Sequence, residues 1–366
     1  MKWLSDHALE RLREAAESPD LSGTRYRLLE RLGRGGMGTV YLAEDSALGR
    51  RLALKVLHEP DAPPDLAARL VHEARILARL EHPGIVPVHD VGTLADGRVF
   101  YTMKYVHGAR LDEHVHSVPA TSDRLRLFQR ICEAVAFAHA RGVLHRDLKP
   151  ENVMVGPFGE VLVMDWGVAK ILRAPATREA AAQTVHATGV PALDAEEIPA
   201  ASTGLPGSFS LLPADTAHGT VLGTPGYMAP EQALGDTQNL DQRADIFALG
   251  AILLFLLTGS RPKSGAAANS SAFSVSGVSG GPGTRVPRAL QAICSKAMAH
   301  SPSGRYSSAQ ELAADVARYL DGLPVAAYPE NLVGRAARLV SRHRVAVLLV
   351  AAYLLTRVLL LLVMGR

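Results

Sequence analysis

Two periods of apolar and polar residues run along this chain. Thr39-Val40-Tyr41-Leu42-Ala43 alternates as a strand does, and Ala53-Leu54-Lys55-Val56-Leu57 is an apolar strand with one lysine inside it. A lysine in that setting is costly unless it meets an anion. His72 to Leu80 is a helical run that carries Glu73, with Glu81 as an alternative acid near its end. Further on the helical period dominates: Leu125, Phe128, Ile131, Cys132, Val135 and Ala138 predict a helix between Thr121 and Arg141, capped by Thr121 or Ser122. Ile246 to Leu257 is apolar throughout yet too short to cross a bilayer, so it predicts a buried helix bounded by Asp245 and Thr258-Gly259. Ser308 to Glu311 reads as a capping box before a helix ending near Leu320. Asp6 to Glu17 predicts a short helix with Leu9 and Leu12 on one side.

Two stretches break the pattern. Arg173 to Ala217 is rich in Ala, Pro, Thr and Ser, and Ser264 to Gly283 is dominated by Ser, Gly and Ala, so both predict loops. Near the end, Val345 to Met364 is apolar except for Thr356 and Arg357, long enough as a helix to cross about 30 Å of hydrocarbon. Arg335, Arg338, Arg342 and Arg344 precede it and assign that flank to the cytoplasmic side. Arg357 opposes insertion, but its position towards the far end allows it to snorkel. The expectation is a single-pass anchor in the cell membrane with the rest of the chain cytoplasmic.

Composition changes this picture little. A length of 366 residues, 48% of them hydrophobic, suits one large two-lobed domain or two domains with extras, and a net charge of +3 gives no reason to expect nucleic acid as a partner. The two cysteines, Cys132 and Cys294, fall in helical patterns and read as buried free thiols. His114-Val115-His116 has no partner at structural zinc spacing, and Met1 to Asp20 lacks the apolar core of a secretory signal.

The chemistry lies in a few motifs. Gly33-Arg34-Gly35-Gly36-Met37-Gly38 fits GxGxxG, a pattern that dinucleotide-binding folds share. Those folds need a helix next, whereas a strand pattern follows here. The glycines therefore belong in a hairpin, where backbone amides approach phosphates unobstructed. Downstream, His145-Arg146-Asp147-Leu148-Lys149-Pro150-Glu151-Asn152 and Asp165-Trp166-Gly167 supply a base, a cation and two metal-ligating groups. With Gly223-Thr224-Pro225-Gly226-Tyr227-Met228-Ala229-Pro230-Glu231, these runs resemble the catalytic core of bacterial Hanks-type (eukaryotic-like) serine/threonine protein kinases. The resemblance covers roughly residues 25 to 320.

That resemblance implies an α+β, two-lobed protein kinase fold: a small antiparallel β lobe with one main helix over 25–105 and a larger, mostly α lobe over 106–322. Around it would lie an N-terminal extension (1–24), a basic linker (323–344) and the membrane helix (345–364). It implies ATP and Mg²⁺, with Mn²⁺ as an alternative, protein substrates bearing Ser or Thr hydroxyls, and a homodimer for autophosphorylation in trans. Asp147 would be the base, Lys149 would neutralise the moving phosphoryl group, and Asn152 and Asp165 would hold the metal. Lys55, paired with Glu73, would hold the α- and β-phosphates. The nucleotide pocket would comprise Leu32, Gly33, Gly35, Gly36, Gly38, Val40, Ala53, Met103, Tyr105, Val106 and Met154. Thr224 would line the substrate site, Asp245 brace the catalytic loop and Arg305 pair with Glu231. Arg146 would receive a phosphate on the activation segment, with Thr216 and Thr220 as candidate sites. A scaffold that binds ATP without transferring phosphate is the alternative on the same fold.

The chain departs from the family pattern in three places. Trp166 replaces phenylalanine beside the metal-ligating aspartate, the stretch from Asp165 to Glu231 is unusually long, and the helix expected after Arg261-Pro262 is replaced by Ser/Gly-rich sequence.

Overall fold

The computed structural model describes residues 18–35, 37–60, 62–167, 169–171, 224–235, 240–262, 279–280, 284–328, 348–350 and 352–357. The first lobe is an antiparallel sheet crossed by one helix. Its strands are β1 (Tyr26–Arg34), β2 (Gly38–Asp45), β3 (Arg50–Leu57), β4 (Val88–Thr93) and β5 (Val99–Lys104), in the order β1-β2-β3-β5-β4. Burial along β2 and β3 follows the apolar runs, and helix α1 (Pro64–Arg79) lays Leu70, Glu73, Ala74, Ile76 and Leu77 against the sheet. The helix starts well before the predicted His72, because a proline in its first turn is preset for helix entry. Glu81 lies beyond the helix and is exposed, which removes it as a rival to Glu73.

The second lobe opens with β6 (Ala109–Arg110) and a single-turn α2 (Leu111–His114), followed by α3 (Thr121–Ala140). Its cap corrects the prediction: Ala120 occupies that position without a side-chain hydrogen bond, and Thr121 is already helical. β7 (Val143–Leu144) leads into the loop 145–149, the predicted catalytic loop. β8 (Val153–Val155) and β9 (Val161–Val163) form with β6 a three-stranded sheet, and β10 (Lys170–Ile171) pairs with β7.

Helix α4 (Pro230–Ala233) precedes α5 (Arg243–Thr258), the predicted apolar helix, in which every residue from Ala244 to Leu257 is buried. A helix apolar on all sides has nowhere to go but a core. It ends at Gly259, whose φ of 69° only glycine adopts without strain. Part of the expected Ser/Gly loop is paired, since β11 (Ser279–Gly280) bonds to β12 (Thr284–Arg285). Helix α6 (Arg288–Ala297) follows, and then α7 (Ala309–Leu320). At the start of α7, Ser308 Oγ accepts from Glu311 N at 3.1 Å, but Glu311 turns its carboxylate to Ser307 N and Oγ, so the reciprocal bond is offset by one residue.

Cys132 and Cys294 are buried free thiols. The predicted N-terminal helix, Gly36, Arg173–Ala217 with Thr216, and also Thr220 lie outside the described residues. Among the described residues no helix is long and apolar enough to cross a membrane. Of the predicted span only 348–350 and 352–357 are described, and they are helical.

Candidate active site

Strand register brings the first group together. Lys55 faces Tyr101 across β3 and β5, and α1 presents Glu73 to both. Lys55 Nζ donates to Glu73 Oε1 and Oε2 at 2.8 and 2.9 Å, and Tyr101 Oη donates to Oε1 at 2.9 Å. Lys55 Nζ also lies 3.5 Å from Asp165 Oδ1. Burial disfavours the lysine charge, but Glu73 and Asp165 outweigh it and hold the Lys55 pKa above its ordinary value. For Glu73 burial wins over Lys55 and raises the pKa. With three hydrogen bonds from two donors on its two oxygens, the carboxylate is nonetheless best described as ionised.

The catalytic loop hangs from α5. Asp245, 1% exposed, accepts His145 N and Arg146 N at 2.9 Å each and pairs with His139 Nε2 at 2.8 Å. These bonds hold Arg146 in the left-handed region at φ 70°, a conformation costly for any residue but glycine. Burial alone would raise the Asp245 pKa; the bond from His139 and the neighbouring charges bring it below the ordinary value. His145 receives Asp147 N at Nδ1, 3.3 Å, and donates from Nε2 to Met164 O at 2.9 Å, so one ring ties the catalytic loop to the strand before Asp165. Trp166 is fully buried, with its ring 4.6 Å from that of His145 and Nε1 bonded to Val163 O at 3.4 Å.

At the centre, Lys149 Nζ donates to Asp147 Oδ2 at 2.7 Å and to Thr224 Oγ1 at 2.8 Å, and Thr224 Oγ1 donates to Asp147 Oδ1 at 3.1 Å. Asn152 Nδ2 donates to Asp147 O at 2.8 Å. Asp165 has φ 57° and a side chain 52% exposed. Partial burial works against its charge, but Lys55 and Lys149 hold its pKa below the usual carboxylate range. The amide oxygen of Asn152 and the Asp165 carboxylate are hard oxygen donors of the kind Mg²⁺ takes. Among the described residues no group of three or more His, Cys, Asp or Glu is arranged to hold a metal.

Five of the predicted nucleotide residues pack together. Ala53 pairs with Met103 across β3 and β5, and Ala53, Met103 and Val106 belong to one buried cluster against which Val40 and Met154 pack. Tyr105 follows β5, with its ring 5.8 Å from His107. Leu32 is 40% exposed and packs in neither cluster. Gly33 has open space where a side chain would stand, whereas a Cβ on Gly38 would lie 2.4 Å from Val56 O. Glycine is therefore forced at 38 by the approach of β3.

Two groups sit behind the site. Arg305 donates to both oxygens of Glu231 at 2.6 and 2.8 Å and to three backbone carbonyls. Arg146 is 8% exposed, and its Nε and Nη2 find no hydrogen-bond partner among the described residues. Burial lowers its pKa, with Asp245 opposing.

Several working residues were not anticipated. Tyr101 shares an alternating face with Met103 but carries no motif, and His139 lies unmarked in an apolar helix. Glu151, within the motif, pairs with Arg261 at 2.5 Å.

The two-lobed arrangement of an antiparallel sheet and helices is the protein kinase fold, and residues 26–190 match the family model described as protein kinase domain. The curated relatives that match most of this chain are described as serine/threonine-protein kinases. The chain is 38% identical over 316 residues to the serine/threonine-protein kinase PknD of Chlamydia muridarum, an alignment covering 81% of this chain and 32% of that protein. It is 37% identical over 323 residues to PknD of Chlamydia trachomatis serovar D, covering 82% and 32%. The chain thus spans about a third of the length of these curated relatives. Among solved structures, the kinase domain of Mycobacterium tuberculosis PknI matches at TM-score 0.52 and 26% identity, over 82% of this chain and 96% of that one.

Proposed function

We propose that this protein transfers the γ-phosphoryl group of ATP to Ser or Thr hydroxyls of proteins. The observation that carries the reading is the bonding of Asp147 to both Lys149 and Thr224, which puts a base, a cation and a substrate-side hydroxyl within one set of contacts. In the reaction the acceptor hydroxyl gives its proton towards Asp147 as its oxygen bonds phosphorus, and the bond to ADP breaks. Lys149 stabilises charge on the group in flight, and Lys55 orients the remaining phosphates. Mg²⁺, bound through Asn152 and Asp165, would neutralise phosphate charge.

Regulation and placement belong to the same proposal. The buried nitrogens of Arg146 that find no partner among the described residues suit a phosphate on the activation segment, delivered by autophosphorylation at Thr216 or Thr220. The apolar stretch 345–364 serves as a membrane anchor; Leu348, Leu349, Val350, Leu354 and Leu355 are exposed, as a lipid-facing helix requires. The test is incubation of the full chain with Mg-ATP beside an Asp147→Asn control, with phosphosites mapped by mass spectrometry. Phosphate on Thr216 or Thr220 in the wild type alone supports an active kinase. Nucleotide binding with no transfer to itself or to a generic protein would replace the reading with an ATP-binding scaffold. Release of the chain from membranes by alkaline carbonate would remove the anchor.

A further inference from the structure

One histidine outside every motif touches the phosphate-binding turn on both sides. Leu57 faces Gly38 at the end of β3, so the next residue, His58, falls at the turn that joins β1 to β2. Its Nε2 lies 2.8 Å from Gly35 O, and its Nδ1 lies 3.1 Å from Thr39 Oγ1. A carbonyl oxygen only accepts, so Nε2 carries the hydrogen, and in the neutral ring Nδ1 accepts from the Thr39 hydroxyl. Thr39 is 7% exposed, a fixed point on β2. The N–H of Gly35 donates to Gly38 O at 2.9 Å. Both backbone polar groups of Gly35 are thus tied down, at a residue whose missing side chain would otherwise leave it the loosest link of the turn.

We propose that His58 is a positioning residue for nucleotide phosphate: it holds the glycine turn in place before nucleotide arrives, so that binding does not have to order it. The proposal rests on the reading of this cleft as an ATP site. It predicts a selective defect. Loss of the Gly35 bond weakens ligands that reach the turn with phosphates and spares one that has none.

The experiment is calorimetric titration of the full chain with Mg-ADP and with adenosine, for wild type and for His58→Ala, His58→Asn and His58→Gln. His58→Ala and His58→Asn should weaken ADP about three- to tenfold, the scale of one hydrogen bond, with adenosine unchanged. The longer glutamine amide reaches Gly35 O, so His58→Gln should stay within about twofold of wild type by the same scale. In turnover, KM for ATP should rise in His58→Ala while kcat holds. Thr39→Val releases the other side of the ring and should weaken ADP selectively too, a second handle should His58→Ala fold poorly. Equal losses for ADP and adenosine, a glutamine variant as weak as alanine, or unchanged ADP affinity in His58→Ala would each overturn the proposal. A wild type that fails to bind ADP would instead sink the ATP reading itself.

Discussion

One ammonium group, Lys55 Nζ on β3, meets both carboxylate oxygens of Glu73 on α1, at 2.8 and 2.9 Å. Lys55 is 9% exposed and Glu73 1%. This pair fixes where the helix stands relative to the sheet. Removing one partner strands the other charge in a dry site.

Lys55→Met should therefore cost about 3–5 kcal/mol of stability, the range for breaking a buried pair. The double variant Lys55→Met/Glu73→Gln should recover much of that loss and none of the activity. Chemical denaturation beside a phosphotransfer assay separates the two effects. A double variant as unstable as the single one would contradict the account.

Asp147→Asn keeps the shape of the side chain and removes the base. The phosphotransfer rate should fall by about 10²–10⁴-fold, the usual contribution of a positioned proton acceptor, with nucleotide affinity unchanged. Steady-state kinetics and nucleotide titration read the two quantities, and a large loss of nucleotide binding would place Asp147 in another role.

Arg305 serves Glu231 with two nitrogens and three carbonyls besides. Lysine keeps the charge but cannot reproduce that planar fork. Arg305→Lys should behave nearly like Arg305→Ala, each losing about 3 kcal/mol or more in denaturant unfolding. A lysine variant of wild-type stability would show that charge alone suffices.

Asp245 carries a pH signature. Its folded pKa lies below the ordinary value, so the unfolded chain binds the proton more readily. Its stabilisation is complete above about pH 4, the ordinary aspartate value, and drains as pH falls through the depressed folded value. Asp245→Asn should start from a lower Tm at neutral pH and lose less on acidification. Parallel Tm curves for the two proteins between about pH 5 and pH 2.5 would show that Asp245 does not drive the acid limb.

Much of the architecture was legible because local pattern and burial agree. β2 and β3 alternate or run apolar where they are buried, and α5 is apolar on every face because every face meets the core. The cap of α3 was misread because two good capping residues stand inside the helix: the chain begins its turn at Ala120, which makes no side-chain capping bond. The bonds of Ser308 and Glu311 were half legible, since propensity marks the residues but not which amide the glutamate reaches.

The sequence by itself determined which groups are available: the motifs supply Lys55, Glu73, Asp147, Lys149, Asn152 and Asp165, each with a particular charge or lone pair, and the proposed phosphoryl transfer rests on that set. Only the tertiary structure decided what holds them. Tyr101 reaches Glu73 through strand register, and His139 reaches Asp245 across more than a hundred positions of chain. His58 reaches Gly35 because β3 ends beneath the turn. Such partners are chosen by distance in space, and a tyrosine or histidine at the right distance looks, along the chain, like any other.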